Sequence, residues 1–286
     1  MTDGFRLRFC YAVGAIAAWL AYRVIGLRRS VIRGNLARSF PDWQADRVKS
    51  MAREFSRRQG ELVAEALYAS SIDEAELRER VTIVNPGLLS SEGPARPLIL
   101  VGAHHGNFEW TLHRLSLDFP GRFVGLYKPA RNARVEAWLK KRRGKFGARL
   151  IPAKSVLREL AGFREAAAVG LIADQVPRTS PEKHWCTFLG QDTAFYMGPE
   201  LLGRALRSRV ILVRMDRLAR GRYALTCVPL NEPGEKLPHG EITGRYARAL
   251  EEWIRDDPVG WWWSHRRWKL QRGVYGEERK RTGESG

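Results

Sequence analysis

From Val81 onward, short apolar runs alternate with segments of helical period. Leu98–Ala103, Arg122–Leu126, Ala167–Ala173, Arg209–Met215 and Tyr223–Pro229 read as strands. Asn107–Ser116, Ala133–Lys145, Lys154–Gly162, Pro199–Ser208 and Thr243–Arg255 read as helices. Such alternation predicts an α/β fold, a single mostly parallel or mixed sheet covered by helices. Upstream, residues 28–67 are helix-rich with a break at Ser39-Phe40-Pro41-Asp42. Asp42 is placed to cap a helix running through Ala45, Val48, Met51 and Phe55. There is no internal repeat or low-complexity linker. The expected organisation is an N-terminal membrane-anchor helix over 1–30, one α/β domain over 31–276 and a frayed polar tail over 277–286.

The anchor rests on Phe9–Tyr22, which is wholly uncharged, and on Val24–Leu27 after Arg23. The run is shorter than the roughly 20 residues of a spanning helix. Arg6 and Arg8 precede it, and Arg28, Arg29 and Arg33 follow. Basic flanks with Tyr11, Trp19 and Tyr22 at interfacial depth fit a shallow helix on an anionic leaflet as well as a span. A helix packed on its own domain is the plain alternative. No cleavage site marks it as a signal peptide.

Composition widens the choice of partners. The chain has 286 residues, 44% of them hydrophobic, and a formal net charge of +18. A core is assured, and the field favours nucleic acid, an anionic membrane, or an acidic protein or phosphorylated ligand. Three scattered cysteines, Cys10, Cys186 and Cys227, suggest a reducing compartment without a disulfide framework.

The chemistry concentrates in Gly102-Ala103-His104-His105-Gly106-Asn107-Phe108-Glu109. Here a buried strand ends, the chain bends at Gly106-Asn107, and a helix begins with Asn107 as N-cap. The carboxyl end of such a strand is where ligands bind in open α/β sheets. Across the bend His104 and Glu109 can fold into contact. The carboxylate then fixes the tautomer and leaves the other ring nitrogen as a base toward a hydroxyl. Plain alternatives are a structural histidine and a first-turn glutamate favoured by the helix dipole. A shared metal is disfavoured, because His104 and His105 point to opposite faces of a strand.

Three further stretches stand out. Tyr127-Lys128-Pro129-Ala130-Arg131-Asn132 is a basic loop after a strand, followed by Lys140-Lys141-Arg142-Arg143 and Lys145. Gly170-Leu171-Ile172-Ala173-Asp174-Gln175 brings an acid and an amide to another strand end, where Asp174 orients the basic loop or substrate, or forms a structural salt bridge. Pro258-Val259-Gly260-Trp261-Trp262-Trp263-Ser264-His265-Arg266-Arg267-Trp268-Lys269 is an aromatic-basic cluster, suited to core packing, a membrane surface or base stacking.

Taken in order, these motifs resemble the late lipid A acyltransferases, the lauroyl/myristoyl transferase family within the lysophospholipid acyltransferase superfamily, which also includes acyltransferases of mycobacterial mannosides. His104 to Glu109 is similar to the family's His-(four residues)-Glu block. Arg28 to Pro41 resembles the segment after its anchor, Ala173-Asp174-Gln175 its Ala-Asp-Gln, and Pro258 to Lys269 its C-terminal signature. The sequence departs from the family where Lys128 replaces an arginine and Thr187-Phe188-Leu189-Gly190 replaces Phe-Phe-Gly. The resemblance implies a His104–Glu109 catalytic pair, and with no Gly-x-Ser-x-Gly elbow in the sequence no acyl-enzyme is expected. Lys128 or Arg131 would steady the oxyanion, with Asn107, Asp174 and Gln175 as further substrate-binding candidates. It implies transfer of a fatty acyl group from acyl carrier protein or acyl-CoA to a lipid hydroxyl. The cytoplasmic face of a bacterial inner membrane is the implied location, and a monomer without metal or further cofactor the implied state. The competing readings are a membrane-tethered nucleic-acid binder and a lipid hydrolase using the same pair on water.

Overall fold

The computed structural model describes residues 3–90, 96–160, 167–177, 182–270 and 272. The expected tail over 277–286 lies outside them. Helices α1 (Asp3–Trp19), α2 (Arg29–Ser39), α3 (Ala45–Tyr68) and α4 (Glu74–Arg80) precede the sheet. Strands β1 (Val81–Ile83) and β2 (Leu98–Gly102) lead into α5 (Phe108–Asp118), β3 (Phe123–Tyr127) and α6 (Ala133–Arg143). β4 (Arg149–Pro152), α7 (Val156–Leu160) and β5 (Ala168–Ile172) follow. β6 (Lys183–Phe188) and β7 (Gln191–Tyr196) form a separate antiparallel pair. The chain then adds α8 (Gly198–Leu206), β8 (Val210–Ala219), β9 (Arg222–Pro229) and α9 (Glu241–Asp256).

Among the described residues the sheet has seven strands in the order β1-β9-β8-β2-β5-β3-β4. β8, β2, β5, β3 and β4 run parallel, whereas β9 turns back along β8 and β1 follows β9. The fold is the expected helix-covered α/β architecture with an apolar N-terminal helix. β2 is central because its residues are apolar throughout: Leu98, Ile99, Leu100 and Val101 are all buried.

The local departures have physical reasons. β1 and β4 are too short to show a period, and β4 ends on Pro152. β6 and β7 mix polar and aromatic residues without clean alternation. They turn through Leu189 and Gly190, both at positive φ (50° and 71°). Leu189 is held there by donating its N–H to Glu251 Oε2 at 2.7 Å. The helix expected over Lys154–Gly162 is a 3₁₀ turn at Ala153–Ser155 followed by α7; residues 161–162 lie outside the described set. Asp42 does not cap α3. Gln44 occupies that position, without a side-chain bond.

Candidate active site

β2 delivers His104 two residues past its end, and the chain turns at Gly106, whose φ is +60°. A Cβ there would approach the Met215 carbonyl oxygen to 2.8 Å, so the bend requires glycine. Asn107 caps α5 as expected, its Oδ1 accepting the Trp110 N–H at 3.0 Å. The bend is also clamped from outside. Gly106 donates to the Gly260 carbonyl at 3.2 Å, and His105 bridges Trp261.

β5 lies beside β2 with Gly102 opposite Ile172. Two residues further along each parallel strand, His104 meets Asp174. Asp174 Oδ1 lies 2.7 Å from His104 Nδ1. Its Oδ2 accepts the His104 backbone N–H at 3.0 Å and the Trp261 indole N–H at 2.9 Å. Burial alone would raise this carboxyl, but the His104 charge and these hydrogen bonds outweigh it and hold Asp174 below the usual carboxylate range. An ionised acceptor on Nδ1 puts the ring proton there and leaves a lone pair on Nε2. The Gln175 amide nitrogen faces that lone pair at 3.3 Å. Phe108 and Trp262 enclose the ring edge-on, at 5.1 and 5.4 Å between centroids.

The expected His104–Glu109 pairing is therefore corrected. The Glu109 carboxylate is engaged by Arg143, with Nη2 at 2.5 Å and Nε at 3.2 Å. Both residues line the same cleft as His104, so Glu109 anchors a cation on the cleft wall. Asn107 does not face substrate. It is buried, and while Oδ1 caps α5 its Nδ2 donates to Glu65 Oε2 at 2.7 Å. Lys128 is exposed and lines the cleft, whereas Arg131 is exposed and outside the lining. Asn132 caps α6, and Glu136 holds the basic loop by accepting from the Tyr127 hydroxyl and the Ala130 N–H. The basic run is divided in use. Arg143 turns inward, Arg142 stacks on Trp138, and Lys145 donates to the carbonyls of Ala69, Ser70 and Ile72.

Behind His104 the cleft encloses about 400 Å³. Its apolar part is a trough between the sheet and α5, which contributes Thr111, Leu112 and Leu115. The trough runs over a row of the sheet that reads Leu100, Gly170, Gly125, Leu150, whose two glycines leave room for the Phe123 ring and for the Leu112 and Leu150 side chains. The next row inward reads Leu98, Ala168, Phe123, and the Phe123 ring closes the end. A Cβ on Gly170 would come within 2.6 Å of that ring.

The aromatic-basic cluster is mostly interior. Trp261 and Trp263 are buried and T-shaped at 4.7 Å, so they offer no face to a stacked base. Arg267 is buried over Phe195 and donates to the Ala194 carbonyl at 2.7 Å. Burial brings it down to about 10, with Asp174 and Tyr246 opposing. His105 turns away from His104, stacks on Trp253 and bonds the Asp257 carbonyl through Nε2 at 2.9 Å. Burial lowers it to about 4.

With this geometry in view, the family comparison is decisive: the model described as bacterial lipid A biosynthesis acyltransferase matches residues 6–270. The chain belongs to this family. It is an acyltransferase of lipid A biosynthesis, and the family's membrane association agrees with the apolar α1. No individually curated protein is a significant match. Within the family's span, the sequence reading missed three contributors to the site: Asp174 as the partner of His104, Arg143 as the partner of Glu109, and Trp261 as a donor to Asp174.

Proposed function

We propose that the protein transfers a fatty acyl group from a thioester of acyl carrier protein or coenzyme A to a hydroxyl of a lipid acceptor such as a lipid A precursor, at the cytoplasmic face of the inner membrane. The observation that carries the reading is His104, its Nδ1 engaged by Asp174 and its Nε2 lone pair met, among the described residues, only by the Gln175 amide, at the head of a largely apolar cleft. The acyl chain runs along the trough from His104 toward Phe123, whose ring lies against Gly170. This puts the thioester carbonyl beside the imidazole.

His104 Nε2 takes the proton of the acceptor hydroxyl as its oxygen bonds to the carbonyl carbon. The negative charge collects on the former carbonyl oxygen, where Lys128 or Arg143 of the cleft lining steadies it. As the tetrahedral intermediate collapses, the carbon–sulfur bond breaks and the thiolate takes the proton back from His104. An ester and a free thiol are formed, and the imidazole is neutral again. Asp174 stabilises the transient imidazolium without itself taking a proton. Exposed Lys140, Lys141 and Arg131 suit an acidic carrier or a nucleotide phosphate.

The test is transfer by the full-length protein from acyl carrier protein to a lipid precursor in mixed micelles, with products identified by mass spectrometry. Acylated lipid should appear, and omission of the acceptor should leave little free fatty acid. Replacing His104→Ala should lower transfer by at least ~10²-fold, the low end for a lost general base. Fatty acid release at the full rate without acceptor would make the protein a hydrolase instead.

A further inference from the structure

We infer that α1 docks in the plane of a single anionic leaflet, and does not cross the bilayer. The helix carries two opposed stripes. Leu7, Tyr11, Gly14 and Tyr22 are buried, while Phe9, Val13, Ile16, Leu20 and Val24 are exposed, with Ile16 at 61% and Val24 at 64%. The exposed stripe steps by three or four residues, as does the buried one once the half-buried Ala18 is counted, the period of one helix face; Leu20, Tyr22 and Val24 lie in the π-helical turn Leu20–Val24 that continues α1.

The inner stripe is fixed to α3 along its length in antiparallel order. The Tyr11 hydroxyl donates to Glu65 Oε1 at 2.6 Å, and Ser56 Oγ donates to the Ala18 carbonyl at 3.3 Å. Between them Gly14 faces Gly60 so closely that a Cβ on either would collide with the other's carbonyl oxygen. From Leu7 to Tyr22 the attached length is ~22 Å. Under it lie Glu61 with Arg57, Arg217 and Arg220, and Arg220 sits over the Tyr11 ring at 5.0 Å. A span in this arrangement would carry those charges, and the exposed Glu54 and Arg57 of α3, to hydrocarbon depth. In-plane docking leaves them in water.

The occupant is a lipid surface of negative charge. Arg6 and Arg8 at one end of the apolar face, and Arg23 and Arg28 at the other, are exposed and placed to meet headgroups. Ile25 and Leu27 extend the apolar face, and Val63 and Leu67 of α3 border it. The surface also lies at the end of the sheet that opens the cleft. β8 runs parallel to β2, and Gly221 in the turn after β8 packs against Tyr11 and Leu7. Arg28 donates to the Ser264 carbonyl at 3.1 Å, two residues from the Trp262 that edges His104. An amphiphilic acceptor therefore reaches His104 with its tails still in the leaflet.

Depth of insertion tests this without reference to turnover, so its failure is distinct from failure of the acyl-transfer reading. In full-length protein with Cys10, Cys186 and Cys227 replaced by alanine, an environment-sensitive fluorophore is attached at Phe9→Cys, Val13→Cys, Ile16→Cys or Leu20→Cys. Quenching by lipids labelled at different depths is then read on vesicles of phosphatidylcholine with phosphatidylglycerol. The four positions should share one shallow depth, and vesicles of phosphatidylcholine alone should bind less. Ile16→Glu should weaken vesicle binding by roughly ten-fold or more with unchanged melting. Depths that run steadily from one leaflet to the other would overturn the inference. So would unquenched labels, or a dimer that hides them.

Discussion

His104 is set by a carboxylate from the neighbouring strand, seventy residues away, and the bond is made from two sides. Asp174 holds the ring through Oδ1 and the backbone of the same residue through Oδ2. Position and tautomer are thus fixed together, which a carboxylate on a helix turn would not do. Two other histidines are structural. His105 and His113 are each 1% exposed, and burial lowers both to about 4 from 6.5. The unfolded chain binds those protons near pH 6.5 and the folded protein only near 4, so stability should be level above 6.5 and fall as pH drops toward 4. The loss is up to about 3 kcal/mol per histidine, from the size of the shift. Denaturant unfolding across that window checks this, and a flat midpoint would contradict neutral burial. Asp174, held low, adds its own loss only at still lower pH.

At the scale of elements, the trough is a consequence of register. Gly125 and Gly170 are adjacent across β3 and β5, and Phe123 stands one row deeper. Phe123→Ala should shift acyl-chain preference to a donor longer by roughly five carbons, about one sheet row of 6–7 Å. Competition among acyl thioesters reads this out, and an unchanged preference would remove Phe123 as the end stop. The long apolar strands and periodic helices were legible in the sequence, as was the bend at Gly106-Asn107 with its cap. Asp174 was visible as a strand-end acid, but the sequence does not give strand order. Only once β5 is known to lie against β2 does it meet His104. Glu109 was the nearer carboxylate along the chain, and proximity in sequence pointed to the wrong partner. The β6–β7 pair escaped because its turn places Leu189, not asparagine or glycine, in the left-handed region.

For the whole molecule, the +18 charge is spread over separate tasks. Arg217 and Arg220 neutralise Glu61 beneath α1, Arg143 serves the cleft, and Arg267 lies behind Asp174. The last segment closes the molecule on its active site. Gly260 and Trp261 clamp the His104–Gly106 bend, and Asn35 of α2 donates to the carbonyls of Trp263 and His265. The single-turnover rate of acyl transfer, compared between Asp174→Asn and Glu109→Gln in variants whose melting shows them folded, tests the central claim most directly. The account predicts that Asp174→Asn loses roughly 10²-fold or more, as expected when the histidine's tautomer is no longer enforced, and that Glu109→Gln loses distinctly less. A wild-type rate in Asp174→Asn alongside an inactive Glu109→Gln would contradict it.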